Sequence, residues 1–170
     1  MIKQDISENL VKVAYIGIGS NLGNRQKYIE QAKFKIYENK IKILKTSSLY
    51  ESVSWPNPSY PKFINIVLKI ETIFSPVKLL KICNKIELEL GRERNKKNSP
   101  RTCDIDIIDY NKVIMTNKID LPHPMMSIRN FVLFPLYEID KSWKHPKTNI
   151  NILKLINSLP IKDLRSIKQI

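Results

Sequence analysis

The sequence contains few cysteines and few acidic residues, and it has no long apolar run. Only Cys83 and Cys103 carry thiols among its 170 residues, and both lie in apolar surroundings. These settings predict reduced thiols in a core and exclude a disulfide framework or a cysteine metal site. No apolar run reaches the length that spans a bilayer, and the first ten residues lack the apolar stretch of a secretion signal. We therefore expect a cytoplasmic protein that does not act at a membrane.

The shortage of acidic residues leaves a strong positive charge. The chain has 16 Asp and Glu against 29 Lys and Arg, which gives a formal net charge of +13. Such a charge is typical of proteins that bind nucleic acid or phosphate. Much of the excess is lysine scattered along the chain, so the net charge by itself identifies no partner. We give weight only to one basic cluster, formed by Arg92, Arg94, Lys96, Lys97 and Arg101.

The length and the order of apolar patterns predict one α+β domain. A length of 170 residues with 42% apolar content suffices for a core. We expect a polar extension over residues 1–12 and a single domain over 13–170. Periodicity predicts a series of strands and helices. The strands cover 11–18, 41–50, 63–70 and part of 99–110, and the helices cover 25–38, 76–90, 127–139 and 151–159.

Turn and cap residues connect these elements. Ser75 and Pro76 are typical of a helix start, and Gly91 of a helix end. Three prolines predict a long loop over 51–62. We also expect residues 109–112 to turn the last strand back into a hairpin through 113–114. Strands joined mainly through hairpins, with two longer helices, predict a mostly antiparallel sheet covered by packed helices.

The stretch SPRTCDIDIIDY, residues 99–110, carries the most distinctive pattern of charge. In a strand, Asp104 and Asp106 share one face, while Cys103, Ile105 and Ile107 share the other and can enter a core. Carboxylates suit Mg²⁺ and the upstream cations suit phosphate oxygens. The residues alone also fit an edge strand with a solvated acidic face, because short patterns of this kind are common.

Five stretches that follow one another along the chain carry a family resemblance. Their most specific parts are GRxR, PRxxDxDI and PHPxxxxRxFVLxPL. The ordered set resembles the 6-hydroxymethyl-7,8-dihydropterin pyrophosphokinase family over residues 13–140, and it favours the metal-binding interpretation of the acidic strand. The stretches are AYIGIGSNLGNR (14–25), SSLYES (47–52), FINIV (63–67), IELELGRERNKKNSPRTCDIDI (86–107) and PHPMMSIRNFVLFPLYEI (122–139).

The resemblance implies a ferredoxin-like sandwich and a defined reaction. A member of this family transfers the β,γ-diphosphate of ATP to the hydroxymethyl group of 6-hydroxymethyl-7,8-dihydropterin and releases AMP. Two Mg²⁺ ions serve the reaction, and the aspartates that hold them match Asp104 and Asp106. Arg92 and Arg101 match arginines that bind the triphosphate. Closure of the basic loop is then expected to bring Arg92 to the metal site.

Further residues match the binding positions of the family. Asn21 is expected to brace the site. Plain core packing is the alternative role for Phe63 and Phe131, and for Phe63 the two roles are closely matched. The matched ATP positions are Asn84, Glu87, Arg92, Arg94, Lys97, Arg101, Ile107, His123 and Arg129. The matched pterin positions are Ser52, Val53, Trp55, Phe63, Asn65 and Phe131.

Two other functions compete with the pyrophosphokinase interpretation. A basic ferredoxin-like module could bind RNA without catalysis, but the chain lacks an RNP-like run and its acidic pair would stay unexplained. Another Mg²⁺-dependent nucleotide transferase could use the same scaffold. We expect ATP and the pterin as partners and no nucleic acid. We also expect a monomer, which could associate with dihydropteroate synthase.

Overall fold

The computed structural model describes residues 10–93 and 98–170. The predictions for residues 1–9 and for Arg94, Lys96 and Lys97 lie outside this described part. The strands are β1 (Lys12–Ser20), β2 (Lys42–Thr46), β3 (Tyr50–Ser52), β4 (Phe63–Thr72), β5 (Asp104–Tyr110), β6 (Met115–Thr116), β7 (Asp120–Leu121) and β8 (Ile167–Gln169). The helices are α1 (Arg25–Glu38), α2 (Pro76–Glu89), α3 (Asn130–Ile139), α4 (Ile152–Asn157) and α5 (Ile161–Arg165).

The main sheet has the strand order β5-β1-β4-β3-β8, with β2 also pairing with β4. All of these pairs are antiparallel. One face packs against α1 and α2, through residues such as Ile29 and Leu79. The other face packs against α3 and α4, through residues such as Leu133 and Ile152. This arrangement confirms the predicted α+β fold with helices packed on an antiparallel sheet.

Local signals in the sequence account for the bounds of α2. The Ser75 side chain accepts a hydrogen bond from the backbone N–H of Lys78, and Pro76 is the first helical residue. Gly91 follows the helix with a φ of +81°, a left-handed conformation that favours glycine. The predicted start and end of this helix are therefore confirmed, as is the predicted range of α1.

The single strand predicted over 41–50 is wrong, because the chain divides there into β2 and β3. Between them, Ser47 donates its backbone N–H to the carbonyl of Val67 at 3.0 Å, and its hydroxyl accepts from the N–H of Val67 at 3.0 Å. The serine side chain thus takes the place of one partner in the ladder, and β3 resumes three residues later.

The predicted hairpin after β5 forms its turn but not its ladder. Asn111 and Lys112 adopt φ values of 49° and 60°, and Val113 donates to the carbonyl of Tyr110 at 2.9 Å. The segment after the turn contains β6, which pairs with β7 in a separate two-stranded sheet. The helix predicted from Ser127 also begins later, at Asn130, because a 3₁₀ turn occupies Met126–Ile128.

Two further observations complete the fold. Cys83 and Cys103 are free and buried, which confirms their assignment as core thiols. Strand β8 was not predicted and lies at the edge of the main sheet beside β3. In the described part of the chain, no helix is long and apolar enough to cross a membrane.

Candidate active site

The acidic strand β5 lies at one edge of the main sheet, paired with the glycine-containing end of β1. Asp104 is opposite Gly19 and Asp106 is opposite Gly17. Ile105 is 3% exposed and packs in the core on the other face. The predicted alternation of the strand is therefore confirmed.

Gly19 leaves space that a side chain would fill. A Cβ atom built at this position would lie 2.9 Å from the side-chain oxygen of Asn65 and 3.3 Å from the ring of Phe63. Both neighbours are predicted pterin residues. A larger residue at position 19 would therefore displace side chains on the floor of the site.

A pocket of about 470 Å³ opens above this face of the sheet. It brings together thirteen of the predicted site residues, which come from β3, β4, α2, β5, α3 and the segments around them. They are Ser52, Trp55, Phe63, Asn65, Asn84, Glu87, Arg92, Arg101, Asp104, Asp106, His123, Arg129 and Phe131. Residues more than 70 positions apart thus share one cavity of the size that small-molecule ligands occupy.

A network of charged hydrogen bonds forms one end of the pocket. Asp104 accepts from Arg92 at 2.7 Å and from Arg101 at 2.6 Å. Arg92 also donates to Glu87, whose Oε1 accepts the backbone N–H of Ile105 at 2.7 Å. Burial raises the pKa of Glu87 to about 7, although the Ile105 hydrogen bond and the Arg92 charge oppose this rise. Arg92 therefore already contacts the acidic strand, and the expectation that loop closure must bring it there is wrong.

Asp106 is the more open of the two aspartates. Its side chain is 42% exposed, whereas that of Asp104 is 20% exposed. The nearest nitrogen atoms of its basic neighbours belong to Arg129 at 3.5 Å and His123 at 3.9 Å. Desolvation of the carboxyl inside the pocket and the charge of Asp104 raise the pKa of Asp106, while burial lowers the pKa of His123. Asp106 thus keeps an accessible carboxylate beside the Arg129 guanidinium.

Aromatic rings and amides form the other end of the pocket. Asn65 donates to the hydroxyl of Ser52 at 2.9 Å, which fixes the amide plane at the pocket floor. The Arg101 guanidinium lies 5.3 Å from the ring centroid of Phe63. The Arg129 guanidinium lies 5.4 Å from the ring of Trp55 and 5.6 Å from the ring of Phe131. Both phenylalanines line the pocket and also take part in core packing, since Phe63 is 9% exposed and Phe131 packs against the core around α3.

Comparisons with known proteins agree with this arrangement. The sequence model of the 7,8-dihydro-6-hydroxymethylpterin-pyrophosphokinase (HPPK) family matches residues 15–141. This chain belongs to the HPPK family. The 2-amino-4-hydroxy-6-hydroxymethyldihydropteridine pyrophosphokinase of Aquifex aeolicus is 41% identical over 133 residues, which cover 78% of this chain and 82% of that protein.

Longer proteins contain an HPPK-like part as well. Folic acid synthesis protein fol1 of Pneumocystis carinii is 39% identical over 164 residues, which cover 95% of this chain but 22% of that protein. A solved Plasmodium falciparum HPPK-DHPS variant with pterin and p-hydroxybenzoate has a TM-score of 0.75 over 98% of this chain and 49% of that chain. Its sequence identity is 16%, so this likeness concerns the fold alone.

Two of the HPPK positions matched in the sequence lie outside the pocket lining. Val53 follows Ser52 but does not line the cavity. Ile107 is 3% exposed and packs in the core on the face of β5 opposite to Asp106. A contact between Ile107 and a nucleotide is therefore limited to its backbone, and its side chain serves the core.

Asn21 braces the site, as predicted. Its side-chain oxygen accepts from the backbone N–H of Arg101 at 2.8 Å, and its own N–H donates to the Arg101 carbonyl at 3.1 Å. Its amide nitrogen donates to the carbonyl of Pro61 at 3.0 Å. One buried asparagine thus joins the segment before β5 to the end of the loop before β4.

Five lining residues were not identified from the sequence. Leu80 precedes Asn84 by four positions on α2, so helical spacing could have found it. Asn98 and Ser99 lie between Lys97 and Arg101 in the basic cluster, where the family usually has Trp-Gly, and no binding role was assigned to them from the sequence. The five are Leu80, Glu93, Asn98, Ser99 and Ile105.

The carboxylates and basic side chains of this HPPK pocket suit Mg²⁺ that is bound together with a polyphosphate. The described residues include no group of three or more metal-ligating His, Cys, Asp or Glu side chains. Mg²⁺ is usually held by one or two carboxylates, with water and substrate phosphates as the other ligands. Asp104 and Asp106 supply such a carboxylate pair, and the cations around them suit the phosphates.

Proposed function

We propose that this chain transfers the β,γ-diphosphate of ATP to the hydroxymethyl oxygen of 6-hydroxymethyl-7,8-dihydropterin and releases AMP. One observation carries the proposal: a single pocket joins an aspartate–arginine cluster to a slot of aromatic and amide side chains. The charged end suits a polyphosphate and the aromatic end suits a flat heterocycle. Membership of the HPPK family and the names of the relatives support the same reaction.

Arg92 and Arg101 are the groups that bind the triphosphate in this proposal. Both donate hydrogen bonds to Asp104. Planar guanidinium groups suit phosphate oxygens, so ATP offers both arginines competing acceptors of higher charge. The Nε atoms of Arg101 and Arg129 are buried, and neither has a hydrogen-bond partner within the described residues. These unused donors favour an anionic ligand in the pocket.

Asp104 and Asp106 would hold two Mg²⁺ ions. The movement of the two arginines onto phosphate frees the Asp104 carboxylate, and the Asp106 carboxylate is already accessible. Bound Mg²⁺ supplies neutralisation of phosphate charge and lowers the pKa of a coordinated hydroxyl. The protein adds position, because β5 fixes the two carboxylates on one face of a paired strand.

The remaining polar residues complete the nucleotide side. Asn84 and Glu87 lie on α2, while His123 and Arg129 lie in the segment between β7 and α3, and all four line the pocket. The lowered pKa of His123 favours a neutral ring, which can donate from one nitrogen and accept at the other. Arg94 and Lys97 stay predictions from the sequence, since they lie outside the described residues.

The aromatic end would bind the pterin. Phe131, with Phe63 and Trp55 nearby, offers ring faces for stacking. Asn65, held by Ser52, offers an amide to the edge of the pterin ring. Val53 follows Ser52 in the chain and would contribute to pterin binding only through its backbone.

We also propose that residues 13–170 form one pyrophosphokinase domain. The longer fol1 protein and the HPPK-DHPS chain each contain a comparable part within a larger molecule. Because the HPPK-DHPS protein joins the two parts in one chain, we propose that this chain associates with a dihydropteroate synthase.

A product analysis tests the proposal directly. The protein is incubated with ATP, Mg²⁺ and 6-hydroxymethyl-7,8-dihydropterin, and the nucleotides are separated by chromatography. We expect AMP in an amount equal to the pterin diphosphate formed, and none when the pterin lacks the hydroxyl. ADP as the product would indicate another transferase, and tight RNA binding without turnover would indicate a non-catalytic module.

A further inference from the structure

Three charged side chains lie at the neck of the loop that carries Trp55, which is the point where the two ends of the loop come together. This loop, residues 53–62, joins β3 to β4. Arg25 donates to Oε2 of Glu51 at 3.2 Å and to the carbonyl of Lys62 at 2.8 Å. The Lys62 ammonium pairs with Oε1 of Glu51 at 3.2 Å. We call Arg25, Glu51 and Lys62 the neck cluster.

The neck cluster lies directly beside the aromatic end of the pocket without lining it. Glu51 precedes Ser52 and Lys62 precedes Phe63, and these two pocket residues face each other in the last pair of the β3–β4 ladder. At each end of the loop, a charged residue of the neck cluster is therefore the direct sequence neighbour of a pocket residue.

Arg25 attaches the neck to another element of the fold. It is the first residue of α1, and its guanidinium contacts both arms of the loop. Asn21 binds the carbonyl of Pro61 at 3.0 Å on the same arm as Lys62. Asn21 before α1 and Arg25 at its start thus fix one arm at two points, while Glu51 ties the other arm to it.

The rest of the loop forms a small unit of its own. The side chain of Asn57 accepts from the N–H of Ser59 at 3.1 Å and from its hydroxyl at 2.7 Å. Tyr60 donates its N–H to the carbonyl of Asn57 at 3.3 Å. Because these bonds are internal to the loop, they do not by themselves set its orientation over the pocket.

We propose that the neck cluster positions Trp55 over the pterin slot, with Glu51 as the central positioning residue. This inference rests on the proposed function for the identity of the ligand. Trp55 is 49% exposed and its ring lies 5.4 Å from the Arg129 guanidinium, so it is placed at the mouth of the pocket. Glu51 acts through the loop and does not itself touch the ligand.

The electrostatics of the cluster agree with this role. Hydrogen bonds from Lys62 and Arg25 lower the pKa of Glu51, so its carboxylate is charged at neutral pH. The side chains of Arg25, Glu51 and Lys62 are 30%, 25% and 61% exposed. Ion pairs with this exposure are weakened by salt. The position of Trp55 should therefore depend on ionic strength.

The substitution Glu51→Gln in the full chain tests the proposal. It removes both ion pairs and keeps the size of the side chain. At saturating ATP and Mg²⁺, we expect the KM for the pterin to rise about fivefold, the change that corresponds to loss of one exposed ion-pair network. The KM for ATP and kcat should stay unchanged, because the cluster adjoins only the aromatic end.

The intrinsic fluorescence supplies a readout that does not require turnover. The chain has two tryptophans, Trp55 at 49% exposed and Trp143 at 2% exposed. Quenching by acrylamide therefore reports Trp55. We expect altered quenching in Glu51→Gln, and a shift of the wild type toward the variant as salt is added. An inactive wild type would contradict the proposed function, whereas the quenching would still test the neck cluster.

Two further variants provide the controls. Glu89→Gln removes the ion pairs of Glu89 with Lys35 on α1 at 2.6 Å and with Lys85 on α2 at 3.6 Å, and should alter neither readout. Lys62→Met removes one of the two ion pairs at an exposed position and should give a smaller effect of the same kind. Unchanged quenching and an unchanged pterin KM in both Glu51→Gln and Lys62→Met would overturn the proposal.

Discussion

The two ends of the pocket are built on opposite physical principles. At the charged end, Asp104 accepts short bonds from Arg92 and Arg101 at 2.7 and 2.6 Å, and Arg92 is shared with Glu87. At the aromatic end, Asn65 bonds to Ser52 at 2.9 Å, and the rings of Trp55, Phe63 and Phe131 line the pocket. One end is a coupled network of charged groups, whereas the other presents neutral rings and amides, with guanidinium groups beside the rings.

This difference teaches how each end should respond to change. Removal of one member of a partly buried charge network leaves its partners without compensation, so effects there are large and not additive. Removal of one ring lowers the affinity for a stacked ligand and leaves the neighbouring side chains in place. We therefore expect changes at the charged end to act on kcat and changes at the aromatic end to act on the KM for the pterin.

The largest effect is expected for Asp106→Asn. Asp106 has weaker cationic contacts than Asp104, so the amide should disturb the fold little. Loss of one charged group that stabilises the transition state should lower kcat by about 10³-fold. Pterin binding, measured by fluorescence with an ATP analogue that is not hydrolysed, should stay near the wild-type value.

Asp120→Asn is the matched control for this prediction. Asp120 is exposed on β7 and lies outside the pocket, so its amide variant should keep the wild-type kcat. A kcat for Asp106→Asn within a few-fold of the control would contradict the assignment of the acidic strand.

A smaller effect is expected for Phe131→Leu. The leucine keeps apolar bulk but loses the ring face, and stacking of this kind contributes about 1 kcal/mol. The KM for the pterin should rise while the KM for ATP is unchanged. Phe134→Leu serves as the control, because Phe134 packs against the core around α3 and lies outside the pocket. Equal increases in both KM values would refute the division of the pocket into two ends.

The smallest effect on turnover is expected for Asp140→Asn, which lies outside the pocket. Burial favours the neutral acid, but hydrogen bonds from Tyr15, Ser142 and Lys69 outweigh it and lower the pKa of Asp140 to about 2. The carboxylate therefore contributes stability above its ordinary pKa of 3.8, and this contribution is lost as the pH falls toward 2.

Thermal unfolding at several pH values checks this prediction. The Tm of the wild type should fall more steeply than that of Asp140→Asn between pH 3.8 and about 2. Both KM values at neutral pH should match the wild type. Parallel pH profiles of the two Tm values would contradict the role assigned to these hydrogen bonds.

Local signals in the sequence were enough to predict much of the fold. The cap at Ser75, the proline after it and Gly91 define α2, because each acts on backbone groups within one turn. The alternation of β5 was also predictable, since a strand with one buried face must place Asp104 and Asp106 together on the other face. The ordered motifs then identified most of the side chains that meet in the pocket.

Features that depend on distant partners could not be predicted. The break between β2 and β3 depends on the bonds of Ser47 to Val67, and these partners are twenty positions apart. Arg92 could have pointed at solvent, and its contact with Asp104 is set by how α2 packs beside β5. The neck cluster likewise joins three separate elements. No local pattern marks such a choice of partner.

The transfer of labelled phosphate tests the central claim most directly. The protein is supplied with Mg²⁺, 6-hydroxymethyl-7,8-dihydropterin and ATP that carries label in either the α or the γ phosphate. We predict that the γ label appears in the pterin product and that the α label stays entirely in AMP. Transfer of the α label to the pterin, or recovery of the α label in ADP, would contradict diphosphate transfer at this site.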